Sequence, residues 1–214
     1  MTSEPKVKIC GITRSEDAVH AWSAGAWAVG VVLSPGGPRS LEPARAAEVL
    51  AALPEGARRV GVFVAPSAEE VAGAVAVLAL THVQVHAAPT PRHVADLQAA
   101  AGVPLIEAVS VAGEASLDRA ESSPADMVLL DAAGPGGRGG TGRRIDWDLV
   151  ARRRPARPVG LAGGLDPGNV ADALVRIRPA LVDVSSGVES APGIKDPERI
   201  EAFIRAAASV GSPA

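Results

Sequence analysis

The segment Val7-Lys8-Ile9-Cys10-Gly11-Ile12-Thr13 joins a short apolar run to a glycine turn, and a stretch of helical period, 15–23, follows it. A strand that passes through such a turn into a helix is the repeating unit of parallel α/β proteins. Cys10, the only cysteine in the sequence, stands at the carboxyl end of this predicted strand. The segment therefore predicts a βα unit with a thiol at the end where such folds carry reactive groups.

The same alternation continues along the chain, because β-branched apolar runs are followed each time by alanine-rich stretches of helical period. The predicted strands are 7–10, 28–33, 59–64, 82–86, 105–110, 127–131, 158–161 and 181–184. The predicted helices are 15–23, 43–53, 68–80, 91–101, 116–122, 147–153, 167–177 and 197–209. Four of them begin at a proline that follows a polar residue, which is typical of a helix start: Glu42-Pro43, Thr90-Pro91, Asp166-Pro167 and Asp196-Pro197.

Eight such repeats predict an α/β fold, a single (βα)8 TIM barrel with a parallel eight-stranded core, formed by one domain over residues 1–214. The strands are apolar enough to be covered on both faces, as parallel strands are. A doubly wound open sheet is the alternative architecture. Its usual fingerprint is a spaced glycine triplet after the first strand, and here only Gly11 stands in that place.

Composition excludes several classes of partner. The net charge is −3 and no dense Lys/Arg stripe occurs, which argues against nucleic acid or an anionic membrane, and Arg152-Arg153-Arg154 is interpreted as a solvated helix end. No apolar stretch reaches the roughly 18 residues of a membrane-spanning helix, and the first residues lack the apolar segment of a signal peptide. We expect a cytoplasmic protein, monomer or homodimer, with no internal disulfide.

Polar side chains stand at or beside the carboxyl ends of the predicted strands, where barrel enzymes build their sites. They are Lys8, Cys10, Arg39, Gln84, His86, Asp131 and Asp183. Cys10 and Asp131 form a possible base and acid for moving a proton between carbon and oxygen, and a cation such as Lys8 would help to ionise the thiol. From spacing alone, two other interpretations stay open: a buried cysteine that only packs, and an aspartate that caps a turn.

The last two strands run into small residues, Ala162-Gly163-Gly164 and Asp183-Val184-Ser185-Ser186-Gly187. Backbone N–H groups exposed in such segments can bind an anion, and many barrels bind phosphate at these two loops. Either segment alone could be an ordinary turn. Together they favour a phosphorylated small molecule as the ligand.

A glycine-rich stretch runs from Ala132 to Arg144 after the sixth predicted strand. Its position at the catalytic face predicts a mobile lid, and a disordered connection is the alternative.

The order of these motifs resembles the phosphoribosylanthranilate isomerase family of tryptophan biosynthesis. The stretches that carry the resemblance are Lys8-Ile9-Cys10-Gly11-Ile12-Thr13, Pro38-Arg39, Val83-Gln84-Val85-His86, Leu129-Leu130-Asp131, Gly139-Gly140-Thr141-Gly142, Leu161-Ala162-Gly163-Gly164-Leu165, Val182-Asp183-Val184-Ser185-Ser186-Gly187-Val188-Glu189 and Pro192-Gly193-Ile194-Lys195-Asp196. Each piece is common, but the full series in this order is specific. The chain departs from the family pattern at Ala87, where the family usually has glycine, and around Arg39, where its segment lacks an aromatic residue.

The resemblance implies an Amadori rearrangement of N-(5'-phosphoribosyl)anthranilate to 1-(2-carboxyphenylamino)-1-deoxyribulose 5-phosphate, without metal or organic cofactor. It implies that Asp131 is the general acid at the ring oxygen and that Cys10 is the general base at C2. Arg39 corresponds to the family arginine near the anthranilate carboxylate. The remaining implied roles are substrate contacts for Gln84, His86 and Asp183, phosphate binding for Gly163, Gly164, Ser185, Ser186 and Gly187, and support of the site by Lys8 and Gly142.

Two further functions remain as alternatives. One is a related sugar-phosphate barrel: a dual-substrate isomerase, which has an aspartate where Cys10 stands, or a pentose-phosphate epimerase, which needs a metal cluster of His and Asp. The other is a catalytically silent barrel that binds a phosphorylated metabolite. The presence of both Cys10 and Asp131 argues against the silent barrel.

Overall fold

The computed structural model describes residues 5–88, 90–132, 145–153 and 155–210. Within them, eight parallel strands close into a barrel, and each strand is followed along the chain by a helix. The strands are β1 (Lys6–Ile9), β2 (Ala28–Val32), β3 (Arg59–Val64), β4 (His82–His86), β5 (Leu105–Val111), β6 (Met127–Ala132), β7 (Val159–Leu161) and β8 (Leu181–Val184). The helices are α1 (Ser15–Ser23), α2 (Pro43–Ala51), α3 (Ala68–Leu78), α4 (Pro91–Ala101), α5 (Glu114–Ser122), α6 (Trp147–Arg152), α7 (Val170–Ile177) and α8 (Pro197–Ala208).

The barrel closes between its first and last strands. β1 pairs in parallel with β8, and Lys8 lies opposite Asp183 in the register. Because the strands join in a ring, the sheet has no open edge. The predicted barrel is confirmed, and the open-sheet alternative is wrong.

Most element boundaries agree with the sequence prediction to within two residues, and β3, β4 and β8 agree at both ends. The helix predicted to begin at Pro167 is the exception, because α7 begins at Val170. The intervening residues form a turn in which Asp166 Oδ1 accepts the Gly168 N–H and Asn169 Oδ1 accepts the Asp166 N–H. These local side-chain bonds compete with the first helical turn and delay the helix.

The buried apolar residues form two layers. The outer layer packs the outward strand residues, such as Ile9, Val29 and Leu130, against the helices. The inner layer fills the barrel with two groups, Cys10, Ala28, Val60 and Val62 on one side and Ile106, Ala108, Leu129, Ala162 and Leu181 on the other. Since side chains alternate along a strand, Lys8 and Cys10 point into the barrel while Ile9 points out.

The segment after β8 carries elements that the sequence did not predict. A single 3-10 turn, Ser186–Val188, leads into a short antiparallel hairpin of β9 (Glu189–Ala191) and β10 (Ile194–Lys195). The turn of the hairpin packs on the loop after β2, since a Cβ on Gly193 would lie 2.6 Å from the Pro38 carbonyl oxygen. Thr13 Oγ1 donates a hydrogen bond to the Gly193 carbonyl. The hairpin is thus fixed beside the loops after β1 and β2.

Arg152 and Arg153 are exposed at the end of α6, as predicted, while Arg154 lies outside the described residues. Among the described residues, no helix has both the length and the apolar character needed to cross a bilayer.

Candidate active site

A cavity of about 510 Å³ opens at the carboxyl ends of the strands. The predicted site residues that line it are Cys10, Arg39, Gln84, His86, Asp131, Gly163, Gly164, Asp183, Ser185 and Ser186. They come from strands or loops on every side of the barrel, so only closure of the sheet brings them together. Gly142 and the rest of the predicted lid, 133–144, lie outside the described residues.

Lys8 lies beneath the cavity and is fully buried. Its Nζ is 3.0 Å from Asp183 Oδ1, and neither side chain is more than 7% exposed. A Cβ added to Gly30 would lie 3.1 Å from Lys8 Nζ and 3.3 Å from Cys10 Sγ, so the absent side chain of Gly30 leaves room for both groups. Lys8 therefore binds the carboxylate of β8 and lies close enough to the thiol at the end of β1 to influence its charge.

The Cys10 thiol faces the cavity but is largely shielded from solvent. Burial raises the pKa of Cys10, and the Lys8 ammonium, which lowers that pKa, does not offset the rise. Asp183 adds to the rise because a nearby carboxylate opposes formation of the thiolate. Lys8 is placed as the sequence predicted, but it does not produce a readily ionised thiol.

The Asp131 carboxyl lies in the same cavity, at the end of β6. Burial raises its pKa to about 6, although the Ala132 N–H, which donates to Oδ1 at 2.8 Å, favours the ionised form. At pH 7 about one molecule in ten then carries a protonated Asp131, roughly a hundredfold more than for an ordinary aspartate. The site can therefore supply a proton at neutral pH.

Gln84 and His86 project from β4 into the cavity. Burial lowers the pKa of His86 to about 4, so its imidazole is neutral at pH 7. Gln84 Nε2 lies 2.9 Å from His86 Nε2, and because an amide nitrogen can only donate, the ring proton of His86 belongs on Nδ1. Gln84 Oε1 is buried and has no hydrogen-bond partner among the described residues. This oxygen can accept a hydrogen bond from a ligand.

The glycines after β7 and β8 are required by close contacts. Gly163 has φ +83°, and a Cβ there would lie 2.6 Å from the Ala132 nitrogen. Gly187 does not line the cavity; a Cβ on it would lie 1.9 Å from the Leu165 carbonyl oxygen. Gly187 thus lets the two loops pack against each other behind the cavity.

Sequence reasoning gave no role to two charged residues beside the cavity, Glu189 and Lys195. The guanidinium of Arg39 donates two hydrogen bonds of 2.7 Å to the Glu189 carboxylate. Lys195 Nζ lies 2.8 Å from Glu189 Oε1 and 3.1 Å from the Ser185 carbonyl oxygen. Both residues lie within the quoted family motifs, but the contacts that Glu189 makes with Arg39 and Lys195 depend on the unpredicted hairpin.

One departure from the family pattern has a structural correlate. Ala87, directly after β4, has φ +57°. Glycine adopts this left-handed conformation without strain, which accounts for the glycine that the family usually has there. Across the described ranges, no group of three or more His, Cys, Asp or Glu side chains is arranged to hold a metal ion.

Known proteins resemble this chain in both sequence and fold. The sequence model of the N-(5'-phosphoribosyl)anthranilate (PRA) isomerase family matches residues 7–206. The N-(5'-phosphoribosyl)anthranilate isomerase of Paracoccus denitrificans is 45% identical over 203 residues, which is 92% of this chain and 94% of the relative. The phosphoribosyl anthranilate isomerase structure from Thermus thermophilus has a TM-score of 0.85 at 36% identity, covering 96% of this chain and 99% of that one. A second isomerase structure, in complex with reduced 1-(o-carboxyphenylamino)-1-deoxyribulose 5-phosphate, has a TM-score of 0.82 at 36% identity and covers 95% and 98% of the two chains.

Proposed function

This chain belongs to the N-(5'-phosphoribosyl)anthranilate isomerase family of tryptophan biosynthesis, and we propose that its cavity performs the Amadori rearrangement with Asp131 as general acid and Cys10 as general base. The observation that carries the proposal is that a carboxyl group able to hold a proton and a thiol line one cavity together with the loops after β7 and β8. This combination supplies an acid, a base and an anion site for one phosphosugar.

In the first step, Asp131 donates its proton to the ring oxygen of the ribose. The bond between C1 and the ring oxygen breaks, and the nitrogen lone pair forms a protonated imine with C1. The raised pKa of Asp131, about 6, supports this role because an ordinary aspartate would hold almost no proton at neutral pH.

In the second step, the Cys10 thiolate removes the proton from C2, and the electron pair of that bond neutralises the imine. The resulting enolamine tautomerises to the ketone: the hydroxyl on C2 loses its proton as the C=O bond forms, and C1 receives a proton. Because the imine is a cation, its C2–H is acidic, so a thiol that is mostly protonated before the reaction can still serve. Positioning against C2 then contributes more than the ionised fraction of the thiol does.

The remaining groups would hold the substrate across the cavity. The backbone of Gly163, Gly164, Ser185 and Ser186 would bind the phosphate, as loops after the last two strands do in many barrels. Arg39 would bind the anthranilate carboxylate, and Asp183 a sugar hydroxyl. His86 Nδ1–H and Gln84 Oε1 offer a donor and an acceptor for further hydrogen bonds. The reduced product bound by the structural relative has the same phosphate and aromatic carboxylate.

The test is turnover of freshly generated N-(5'-phosphoribosyl)anthranilate, followed by the loss of anthranilate fluorescence, without added metal and with a chelator present. We expect Cys10→Ser and Asp131→Asn each to lower kcat by about 10²–10⁴, the usual contribution of a positioned acid or base. Circular dichroism checks that both variants are folded. Asp96→Asn, on the exposed face of α4, is the control and should keep full activity.

Full activity of Cys10→Ser would remove the proposed base, and full activity of Asp131→Asn the proposed acid. A chelator that abolishes turnover would contradict a reaction carried by these side chains alone. Comparable turnover of the corresponding aminoaldose of histidine biosynthesis would favour a dual-substrate isomerase.

A further inference from the structure

A chain of three charged side chains lies between the loop after β2 and the segment after β8. Arg39 binds Glu189, and Glu189 binds Lys195. The side chains of Glu189 and Lys195 are almost fully buried, while Arg39 remains partly exposed at the cavity. A carboxylate shared by two cations in a buried place is costly unless its geometry is well defined.

The geometry of the pair leaves one edge of Arg39 unused. Glu189 accepts hydrogen bonds from Nε and Nη2, both at 2.7 Å. A guanidinium has five N–H groups, and Nη1 makes no hydrogen bond to any described residue. The edge formed by Nη1 and the second N–H of Nη2 can therefore bind another carboxylate in the same two-pronged way. Arg39 can hold Glu189 and a ligand at once.

The charge of the cluster also favours a second anion. A pair of Arg39 and Glu189 alone would be neutral, but Lys195 adds a positive charge at 2.8 Å from Glu189. Its Nζ also lies 3.1 Å from the Ser185 carbonyl oxygen and 3.3 Å from Ser185 Oγ. The cluster therefore keeps a net charge of about +1 and joins the arginine to the β8 loop.

The stem of Arg39 is confined as well. A Cβ added to Gly11 would lie 2.6 Å from Arg39 Cδ and 2.8 Å from Ser185 Oγ. The aliphatic part of the Arg39 side chain therefore lies directly against the turn after β1. Asp17 fixes the hairpin from below, since its Oδ2 accepts the Lys195 N–H at 3.1 Å. Arg39 at one end of the cluster and Lys195 at the other are thus each held by contacts with other parts of the barrel.

We propose that Glu189, with Lys195, is a positioning residue that holds the Arg39 guanidinium with its free edge toward the cavity, where this edge recognises the aromatic carboxylate of the substrate. The inference rests on the proposed function of the site, in which Arg39 binds that carboxylate. It assigns the selectivity for a carboxylate-bearing aromatic amine to three residues rather than to one. A purely structural ion pair would stabilise the hairpin without affecting this selectivity.

Binding of two ligands separates these possibilities. One is the reduced product with its 2-carboxyl group, and the other is the same phosphosugar carrying plain aniline. Titration calorimetry gives Kd for each, and the ratio of the two Kd values measures recognition of the carboxylate independently of turnover. We expect Arg39→Ala to abolish the preference and Glu189→Gln to reduce it about tenfold, the value of one well-placed charged hydrogen bond. Arg39→Ala/Glu189→Gln should show no further loss beyond Arg39→Ala.

Two additional variants keep the test decisive. Glu189→Asp keeps the negative charge on a shorter side chain, so its ratio of Kd values should fall between those of the wild type and Glu189→Gln. This variant also tests the role of the carboxylate if Glu189→Gln folds poorly. Glu48→Gln breaks an exposed arginine–glutamate pair on α2 and should leave the ratio unchanged.

The outcomes separate the inference from its premise. A wild-type ratio in both Glu189 variants, with a lost preference in Arg39→Ala, would overturn the positioning role alone. An unchanged ratio in Arg39→Ala would instead overturn the proposed role of Arg39.

Discussion

At the scale of single residues, the two proposed catalytic groups share one physical influence. Burial disfavours charge, so the pKa values of both Asp131 and Cys10 lie above their ordinary values. For the acid this shift is useful, because it retains the proton that must be donated. For the base it is a cost, because the thiolate fraction at neutral pH becomes smaller.

These shifts predict an unusual pH dependence of kcat/KM. The active form has Asp131 protonated and Cys10 ionised, although the pKa of Asp131, about 6, is the lower of the two. Between the two pKa values, each rise in pH removes as much protonated acid as it adds thiolate. We therefore expect kcat/KM to be flat between about pH 6.5 and 8.5.

The variant Asp131→Asn provides the matching measurement. Its residual activity should rise about tenfold per pH unit over the same range, because only ionisation of the thiol still matters. Parallel profiles of the wild type and the variant would contradict the assignment of the acid.

The sequence predicted the placement of Lys8 beside Cys10, since residues two apart on a strand share a face. It did not predict the net effect on the thiol. That effect comes first from burial of the thiol in the closed barrel. Asp183 adds to it, and this residue is 175 positions away in sequence and contacts Lys8 only through the pairing of β1 with β8.

At the scale of elements, the loops after β7 and β8 act as one unit. Gly187 allows the backbone after β8 to approach the Leu165 carbonyl, and Ser185 and Ser186 line the cavity just before it. Any side chain at position 187 would separate the loops by about 1 Å, which well-packed protein does not absorb freely.

We therefore expect Gly187→Ala to lower the free energy of unfolding by about 1–3 kcal/mol and to raise KM by weakening the phosphate site. Urea unfolding and steady-state kinetics measure the two effects.

Gly73→Ala is the matched control, because a Cβ there meets no atom within 4 Å on the exposed side of α3. This control should gain about 0.5–1 kcal/mol in stability and keep its kinetics. Equal stability and KM in the two variants would show that the loops are independent.

Regular elements were predictable because burial on both faces gives the strands a clear apolar signal, as in Arg59–Val64 and Leu181–Val184. The start of α7 was not, because a side-chain turn at Asp166 and Asn169 replaces the expected proline start. The hairpin of β9 and β10 was not predicted either. Its strands are too short for a periodic pattern. Because the contact of Glu189 with Arg39 depends on this hairpin, that contact could not be predicted either.

At the scale of the whole molecule, a buried ion pair lies where the barrel closes. Lys8 and Asp183 face each other across the pair of strands that closes the ring, with their charged atoms 3.0 Å apart. An ion pair in such a place contributes little net stability, because both charges lose their hydration. Leaving one partner without the other is expensive. The two residues are register partners of β1 and β8, and Asp183 also lines the cavity.

This arrangement predicts that stability and activity can be separated. Lys8→Met should cost about 3–5 kcal/mol, because it leaves the Asp183 carboxylate buried without a partner. Lys8→Met/Asp183→Leu should recover most of that loss in urea unfolding, since apolar side chains fill the same space, yet turnover should remain lost because Asp183 no longer meets the substrate. Asp118→Asn, which breaks the exposed pair with Arg153, is the control and should change stability by less than about 1 kcal/mol. If the double variant is as unstable as Lys8→Met, the ion pair itself holds the barrel closed; if it is both stable and active, Asp183 has no part in the reaction.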